Sequence, residues 1–333
     1  MRTEIPKENQ LEEKVFAITN EKQFSIIALD VYQFQFENNW LYKEYCHAVG
    51  KLPATVKAVT DIPFLPISFF KTHRIESTAF DPELVFKSSG TTGAVTSNHY
   101  VRSAMLYINS FSRGFEQVYG DIKQYCIIGL LPSYLEREHS SLVYMVDHLI
   151  KSSGHEDSGF YLNEFDQLDL TLKRLGLSNQ KTILIGVTYA LLDFSNRYPQ
   201  NLPNIIIMET GGMKGRGREI TKAELYEHLK KNFGVSAIHS EYGMTELLSQ
   251  AYGVDGKINC PPWMKVVLRD ETDPFSIYKN AGSGAINVID LANFYSCSFI
   301  ATEDIGRTNA DGTFEILGRM DNSDIRGCSL LVV

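Results

Sequence analysis

The sequence predicts an α/β fold, with layered and largely parallel sheets flanked by helices, followed by a small β-rich C-terminal subdomain. Two observations carry this prediction. Through the middle of the chain, short apolar runs alternate with stretches of helical periodicity, which is typical of parallel sheets with helical crossovers. From about residue 257 onward, Gly, Asp and Asn instead separate short β-rich segments. We therefore expect an α/β core over residues 1–255 and a β-rich subdomain over residues 256–333.

The individual elements follow in chain order. Residues 10–50 mix apolar and polar residues at helical spacing, and two prolines make Asp61–Pro66 an extended loop. The predicted strands are Leu84–Phe86, Tyr125–Leu131, Thr182–Gly186, Ile205–Met208, Val235–His239, Ser296–Ala301 and Thr313–Leu317. The predicted helices are Arg102–Tyr119, Ser141–Lys151, Gln167–Leu175, Tyr189–Tyr198 and Glu219–Asn232.

Composition excludes several classes of protein. The 333 residues carry 32 Lys and Arg against 40 Asp and Glu, a formal net charge of −8, which argues against bulk binding to nucleic acid or acidic membranes. No apolar run approaches the roughly 20 residues of a membrane-spanning helix, and the N-terminus lacks the order of a signal peptide. The five cysteines form no CxxC pair. We predict a cytoplasmic protein without a disulfide framework or zinc knuckle.

The clearest local motif runs from Phe86 to Gly93, where a predicted strand enters a series of small residues. These residues are Ser88, Ser89, Gly90, Thr91, Thr92 and Gly93. Small residues let backbone amides approach an anion, and hydroxyl groups add donors for phosphate oxygens. The motif is not a Walker A loop, because no Gly-Lys-Ser/Thr follows. A phosphate-binding loop and a flexible polar turn are both compatible with these residues.

A second motif, Glu241–Glu246, follows the predicted strand Val235–His239. Ligands bind where parallel strands end, and there a carboxylate holds Mg²⁺ while a threonine hydroxyl donates to phosphate. Two later segments, Ala301–Arg307 and Gly318–Asp321, contain an Asp suited to ribose hydroxyls and an Arg suited to phosphate or ribose. Taken separately, the first motif is equally compatible with an ordinary strand-to-helix turn, and the other two segments are more simply surface turns with solvated charges.

The order of the four motifs resembles the adenylate-forming superfamily of acyl-CoA synthetases, adenylation domains and luciferases, and residues 85–327 can be placed on the plan of that superfamily. The resemblance implies ATP and Mg²⁺ as cofactors. It makes Ser88–Gly93 the phosphate loop, Thr245 the phosphate contact, Glu246 the magnesium ligand, Asp304 the ribose-binding residue and Arg319 the Arg that follows it. It also adds Tyr242 and Gly243 to the nucleotide site, and places Gly211 and Gly212 in an adenine-side loop after Ile205–Met208.

Two features of the sequence depart from the usual pattern of this superfamily. The phosphate loop continues with Ala94-Val95-Thr96 where related loops often have Pro-Lys. The sequence stops at Val333, so the mobile C-terminal domain usual in the superfamily is expected to be missing. The acyl-protein synthetases of the LuxE type resemble this shorter plan, and Ile62–Lys71, Pro132–Arg137 and Ile325–Leu330 resemble that branch. Pro132–Arg137 is either a pocket wall or a structural loop, and His139 beyond it is either a packing residue or a gate.

Members of that branch transfer the acyl group to a cysteine near their own C-terminus, which here implies Cys328. The seven residues from Asp321 to Cys328 span at most about 25 Å, enough to reach a cleft bordered by Arg319. Arg326 nearby favours the thiolate. The alternative is a buried, small apolar cysteine.

The sequence therefore predicts an ATP-dependent acid-thiol ligase, an acyl-protein synthetase acting on a carboxylic, most simply a fatty, acid. The catalytic residues would be Cys328, Thr245, Glu246 and Arg319. The resemblance implies an acyl reductase, an acyltransferase or an acyl carrier protein as partner. Two alternatives stay open: an acyl- or aryl-CoA ligase completed by a separate chain, and a non-catalytic nucleotide- or acyl-binding module. Chain length of the acid, its aromatic or aliphatic character and the oligomeric state are not encoded in any recognisable motif.

Overall fold

The computed structural model describes residues 8–88, 95–131, 139–162, 164–211, 221–278 and 280–320. Several sequence predictions lie outside these ranges: Ser89–Gly93, Pro132–Arg137, Gly212, and the Ile325–Leu330 segment with Cys328. The described helices are α1 Glu8–Phe16, α2 Glu21–Asn38, α3 Trp40–Ala48, α4 Phe69–Thr72, α5 Ala104–Tyr119, α6 Ser141–Ser153, α7 Phe165–Gly176, α8 Thr188–Arg197 and α9 Lys222–Phe233.

The described strands form one large sheet and a separate hairpin. They are β1 Leu65–Pro66, β2 Leu84–Lys87, β3 Asn98–Val101, β4 Tyr125–Leu130, β5 Gly159–Phe160, β6 Lys181–Val187, β7 Ile205–Thr210, β8 His239–Tyr242, β9 Ala251–Val254, β10 Lys257–Asn259, β11 Met264–Arg269, β12 Gly282–Asp290, β13 Phe299–Thr308 and β14 Phe314–Arg319. The sheet order is β11-β12-β13-β14-β10-β9-β8-β7-β6-β4-β5, with β1 paired to β13, while β2 and β3 pair only with each other.

One half of the sheet is parallel. Strands β5, β4, β6, β7 and β8 pair in parallel, and a helix connects each to the next along the chain. The side chains of β4 and β6 are almost entirely buried, as expected for strands covered on both faces. On β8, His239 bonds the Tyr119 hydroxyl of α5, whereas its neighbour Ser240 bonds Tyr226 of α9. Adjacent strand residues point to opposite faces, so α5 and α9 cover opposite faces of the sheet.

The other half is antiparallel and runs from β9 to β14. Helix α2 and its C-terminal cap support it through Gln35 and Asn39, both buried, which bond the turn before β13. The Gln35 amide donates to Phe294 O at 3.0 Å and accepts from the Ser298 amide at 3.1 Å, and Asn39 Nδ2 donates to Ser296 O at 2.9 Å. The predicted fold class, an α/β arrangement with parallel strands followed by β-rich structure, is confirmed. The division at residue 255 stays a prediction.

Two strand predictions are shifted in the structure. Instead of Val235–His239, β8 covers His239–Tyr242, because the preceding amides have other partners: Val235 N–H bonds the carbonyl of Lys230 at the end of α9, and Ile238 N–H bonds Asp255. Instead of Ser296–Ala301, β13 begins at Phe299. The turn residues before Phe299 bond α2, as described above.

The third motif, Ala301–Arg307, lies within β13, and Gly318 and Arg319 of the fourth lie at the end of β14, whereas the sequence predicts surface turns at both places. Asp304 on β13 is paired in register with Arg319 on β14. Gly306, which looks like a turn residue in the sequence, instead lies where the register shifts. A Cβ added there would come within 2.6 Å of the Glu315 carbonyl oxygen. The close approach of β14 at this bulge therefore requires a glycine at position 306.

Candidate active site

The carboxyl ends of the parallel strands carry the predicted strand-end residues. Tyr242 is the last residue of β8, and Gly243, Thr245 and Glu246 follow it. Gly211 follows β7 on the neighbouring strand, since Thr210 of β7 is in register with Glu241 of β8. This edge is where open α/β sheets bind their ligands.

Asp304 joins this edge to the antiparallel half of the sheet. The Tyr242 hydroxyl donates to Asp304 Oδ2 at 2.9 Å, and Arg319 Nε lies 3.3 Å from Asp304 Oδ1. Arg319 Nη2 is also 3.4 Å from Glu303. The Asp304 side chain is 13% exposed and that of Arg319 is 64% exposed, so the carboxylate is set back and the guanidinium faces solvent.

The pKa shifts of Asp304 and Tyr242 determine how this cluster can bind hydroxyl groups. Burial raises the pKa of Asp304, and the charge of Arg319 and the Tyr242 hydrogen bond oppose that rise. Burial and the nearby Asp304 charge raise the pKa of Tyr242 far above its usual range, so the phenol stays a donor. Each Asp304 oxygen has one partner and can accept a second hydrogen bond. The arrangement therefore suits a vicinal diol such as ribose.

The predicted phosphate loop is the connection between β2 and β3, and its two ends are tied together. The Ser88 amide donates to Ser97 O at 3.1 Å, and the Ser97 amide donates to Ser88 Oγ at 2.8 Å. Ser97 also interacts with the Glu246 carboxyl and lowers its pKa. The base of the loop therefore lies near the carboxylate that follows β8.

Glu246 is only 5% exposed. Burial raises the pKa of Glu246, while the Ser97 hydrogen bond and the positive charges of Arg319 and Lys71 lower it. A single carboxylate of this kind fits Mg²⁺, which takes one or two protein carboxylates and completes its shell with water and substrate phosphates. Within the described ranges, no group of three His, Cys, Asp or Glu side chains is placed to hold a metal ion without such a substrate.

His99, which the sequence analysis missed, holds the backbone of the Thr245–Glu246 segment. Its Nδ1 lies 2.8 Å from Thr245 O, and its Nε2 lies 3.0 Å from Asn293 Oδ1. Asn293 Nδ2 donates to Glu246 O at 2.8 Å. His99 is 1% exposed, and burial lowers its pKa to about 4. The available signal was a polar residue on the inward face of the alternating strand Asn98–Val101.

Gly243 is required by close packing behind the site. A Cβ at this position would lie 2.5 Å from Glu241 Oε1. Glu241 accepts a hydrogen bond from Thr210, and burial raises its pKa to about 7. Burial also raises the pKa of Glu209, on the other face of the sheet, where Thr188 contacts it. Each face of the sheet therefore carries a buried acid, Glu241 or Glu209, near the carboxyl ends of β8 and β7.

The structure brings together most of the described candidates. Contacts and charges link Ser88, through Ser97, to Glu246, and Arg319 acts on both Glu246 and Asp304. Gly211 is separate from this cluster: its carbonyl accepts from Thr188 at 2.9 Å. The His139 side chain is exposed, so it is not a packing residue, although its carbonyl accepts from the Lys87 amide.

Comparison with known proteins gives one family across nearly the whole chain. Residues 10–333 match the family described as acyl-protein synthetase, LuxE. A curated relative, the long-chain-fatty-acid–luciferin-component ligase of Vibrio harveyi, is 24% identical over 345 residues, covering 95% of this chain and 89% of the relative. None of the described helices is both long and apolar enough to cross a bilayer.

Solved structures agree on the fold. ATP-bound MatB from Rhodopseudomonas palustris has a TM-score of 0.54 at 17% identity, covering 73% of this chain and 49% of that one. O-succinylbenzoate Coenzyme A synthetase (MenE) from Bacillus subtilis, in complex with ATP and magnesium ion, has a TM-score of 0.50 at 16% identity, covering 73% and 51%. The chain spans about half the length of these solved proteins. It belongs to the LuxE acyl-protein synthetase family, and it is an ATP-dependent acid ligase.

Proposed function

We propose that this LuxE-family ligase activates a fatty acid with ATP as an acyl-adenylate and then carries the acyl group as a thioester on its own Cys328. The observation that carries the proposal is the meeting of Glu246, Arg319 and Asp304 at the carboxyl edge of the sheet, beside the base of the β2–β3 loop. One acid suited to a metal, one suited to a diol and an exposed cation together match the parts of a nucleoside triphosphate.

In the first step, a carboxylate oxygen of the fatty acid forms a bond to the α-phosphorus of ATP. The bond from that phosphorus to the oxygen bridging to the β-phosphate breaks, and pyrophosphate leaves with the electron pair. Asp304 and Tyr242 would fix the ribose, and Thr245 and the Ser88–Gly93 loop would donate to the phosphates. Catalysis then consists of positioning and of stabilising the charge on the phosphates.

Glu246 would hold Mg²⁺, which would supply neutralisation of phosphate charge. Its buried carboxylate gains from a cation, because burial alone disfavours the ionised form. His99 and Asn293 fix the backbone on both sides of the Thr245–Glu246 peptide, so the carboxylate is oriented before the metal arrives.

In the second step, the Cys328 thiolate, having lost its proton to solvent, forms a bond to the carbonyl carbon of the acyl-adenylate, and AMP leaves. Burial disfavours this role for the four described cysteines. It raises the thiol pKa of Cys46, Cys260 and Cys297 to about 12 and that of Cys126 to about 11. Only the thiolate is an effective nucleophile. This elimination supports Cys328 as the acceptor.

The acyl-thioester needs a protein that consumes it, and the acid needs a source. An acyl reductase fits the first role, because a thioester is an activated substrate for reduction. An acyltransferase or acyl carrier protein fits the second. These partners belong to the proposal.

A panel of carboxylic acids tests the adenylation step through pyrophosphate release with ATP and Mg²⁺. We expect release with long-chain fatty acids and none without Mg²⁺. Absence of release with every acid, from protein that binds MgATP, would reduce the chain to a binding module and reject the proposed reaction.

Labelling tests the acceptor. Radiolabelled fatty acid and ATP should label the wild-type protein, and neutral hydroxylamine should release the label. Cys328→Ser should abolish labelling and leave pyrophosphate release largely intact, whereas the matched Cys260→Ser should still label. Full labelling of Cys328→Ser would assign another acceptor. Acyl-AMP formation without any labelling of the wild type, followed by transfer to added Coenzyme A, would make the chain a CoA ligase.

A further inference from the structure

A short helix brings a lysine to the edge of the proposed nucleotide site. Strand β1 pairs in parallel with β13, with Pro66 in register with Ala301, and the Ile67 amide donates to Ala301 O at 2.9 Å. Helix α4, Phe69–Thr72, starts two residues later. This pairing anchors the start of α4 beside the strand that continues to Asp304.

Phe70 fixes α4 against the Thr245–Glu246 segment. Its side chain is fully buried, and its ring meets the His99 ring edge-on with a centroid distance of 5.8 Å. His99 in turn lies 2.8 Å from Thr245 O. Phe70 is therefore linked through the His99 side chain to the backbone that carries Glu246, and the next residue begins beside this packed group.

That residue is Lys71, whose side chain is exposed. Its charge reaches Glu246, where it acts together with the charge of Arg319. Arg319 already has two carboxylates within 3.4 Å, Glu303 and Asp304. Lys71, in contrast, has no carboxylate at ion-pair distance among the residues that the structure describes. Its ammonium group is thus available to an anion that enters beside Glu246.

The β2–β3 connection supplies no cation of its own. Residues 88–97 read Ser-Ser-Gly-Thr-Thr-Gly-Ala-Val-Thr-Ser and contain no Lys or Arg. Glu246 adds a further negative charge at the base of this loop. A side-chain cation for phosphates bound beside Glu246 must therefore come from another part of the chain.

We propose that Lys71 binds the β- and γ-phosphates of ATP, and the pyrophosphate formed from them, at the nucleotide site on which the proposed function rests. A lysine ammonium suits this role as a compact charge with three donors on a flexible stem, which can follow pyrophosphate as it leaves. Arg319, held by Asp304 and Glu303, then serves the nucleoside side of the same ligand.

Binding and kinetics of Lys71→Met, Lys71→Arg and wild-type protein test the assignment. We expect Lys71→Met to raise the Kd for MgATP and for magnesium pyrophosphate, and the KM for MgATP, about tenfold, corresponding to about 1.4 kcal/mol. The Kd for AMP, which lacks these phosphates, and the KM for the acid should stay unchanged. Lys71→Arg should remain close to wild type. Lys123→Met, which removes the same charge at the amino end of β4, serves as the control.

The outcomes separate this inference from the proposed function. Unchanged MgATP and pyrophosphate binding in Lys71→Met overturns the role of Lys71 and leaves adenylation standing. Equal weakening of AMP and ATP binding overturns it too, because the contact would then be to the α-phosphate or nucleoside. If the wild type binds MgATP but releases no pyrophosphate with any acid, the proposed reaction fails, and the binding comparison still decides the role of Lys71. A wild type that binds neither probe rejects both.

Discussion

The two halves of the large sheet contribute to the candidate site in different ways. In the parallel half, candidate side chains lie at or just after strand ends, as Tyr242 and Glu246 do at the end of β8. In the antiparallel half, they lie within strands, as the paired Asp304 and Arg319 do on β13 and β14. A strand end offers backbone donors and freedom to follow a ligand. A cross-strand pair offers a fixed spacing set by the ladder itself.

Burial separates the halves further. Acids near the parallel strand ends are deeply buried, with Glu209, Glu241 and Glu246 each less than 9% exposed. The Arg319 side chain is 64% exposed. The comparison indicates that changes to the buried acids of the parallel half should affect protonation and stability strongly. Changes at the exposed Arg319 should affect ligand binding with little effect on folding.

The largest effect is expected at Glu246. Glu246→Gln should reduce Mg²⁺-dependent pyrophosphate release on the order of 1000-fold, in the range known for loss of one group that stabilises transition-state charge. The variant should unfold at the same or higher denaturant concentration, because burial raises the pKa of Glu246 and the neutral amide avoids that cost. Exposed Glu227→Gln is the control. A variant that loses stability and activity together would make Glu246 a structural residue.

Glu241→Gln should change how the unfolding free energy depends on pH. Burial raises the pKa of Glu241 to about 7 from 4.5. The folded state therefore keeps a proton that the unfolded state has lost between these values, and stability falls as pH rises through this window. The variant lacks this loss, so its unfolding free energy should exceed that of the wild type increasingly from pH 4.5 to 7, by at most about 3 kcal/mol. Urea titrations at about pH 5 and about pH 7.5, which bracket most of this window, measure the difference in unfolding free energy between the variant and the wild type. The same difference at both pH values would contradict the assignment.

Arg319→Gln should show the opposite behaviour in the antiparallel half. Its exposed ion pairs contribute at most about 0.5 kcal/mol to folding, so the unfolding midpoint should barely move. The KM for ATP should rise about tenfold, as expected for loss of one charged contact. Arg307→Gln, also exposed but on the neighbouring strand β13, should leave both unchanged. If Arg319→Gln lowered stability and left the KM unaltered, the pair would be a structural clamp.

The smallest effect is expected away from both edges, at the start of α2. Asn20 caps this helix by accepting from the Gln23 amide at 3.0 Å. Asn20→Ala should lower the unfolding free energy by about 1 kcal/mol, and Asn20→Asp should stay within about 0.5 kcal/mol of wild type, because it keeps the acceptor. Neither should change the KM for ATP. A KM effect would show that support from α2 reaches the site.

Much of the parallel half was predictable from sequence because each of its strands and helices has a recognisable spacing of apolar residues within its own segment. The apolar segments predicted as strands begin and end within a few residues of the observed β4, β6 and β7. The helices predicted from helical spacing match α5 to α9 equally closely. The antiparallel half was harder. Gly306 reads as a turn residue, and only the close approach of β14 shows why a strand needs glycine there.

The supporting residues of the site could not be predicted from local pattern. His99 and Asn293 are 194 positions apart, and their contact depends on how β3 meets the turn before β13. Lys71 stands in a segment whose resemblance to the branch was visible, but the effect of its charge on Glu246 follows only from the tertiary structure, in which β1 pairs with β13. The order of motifs identified the candidate ligand contacts, whereas the residues that orient them are defined only by tertiary structure.

The bonds from α2 to the turn before β13 also set an order of events during synthesis. Gln35 and its partner Ser296 are separated by 261 positions. At translation rates of about 5–20 residues per second, Gln35 leaves the ribosome on the order of 10 to 50 s before Ser296 is made. During that time, the polar groups on the buried face of α2 lack their native partners. The parallel half can form first, but the nascent chain acquires Asp304 in its final setting only near the end of its synthesis.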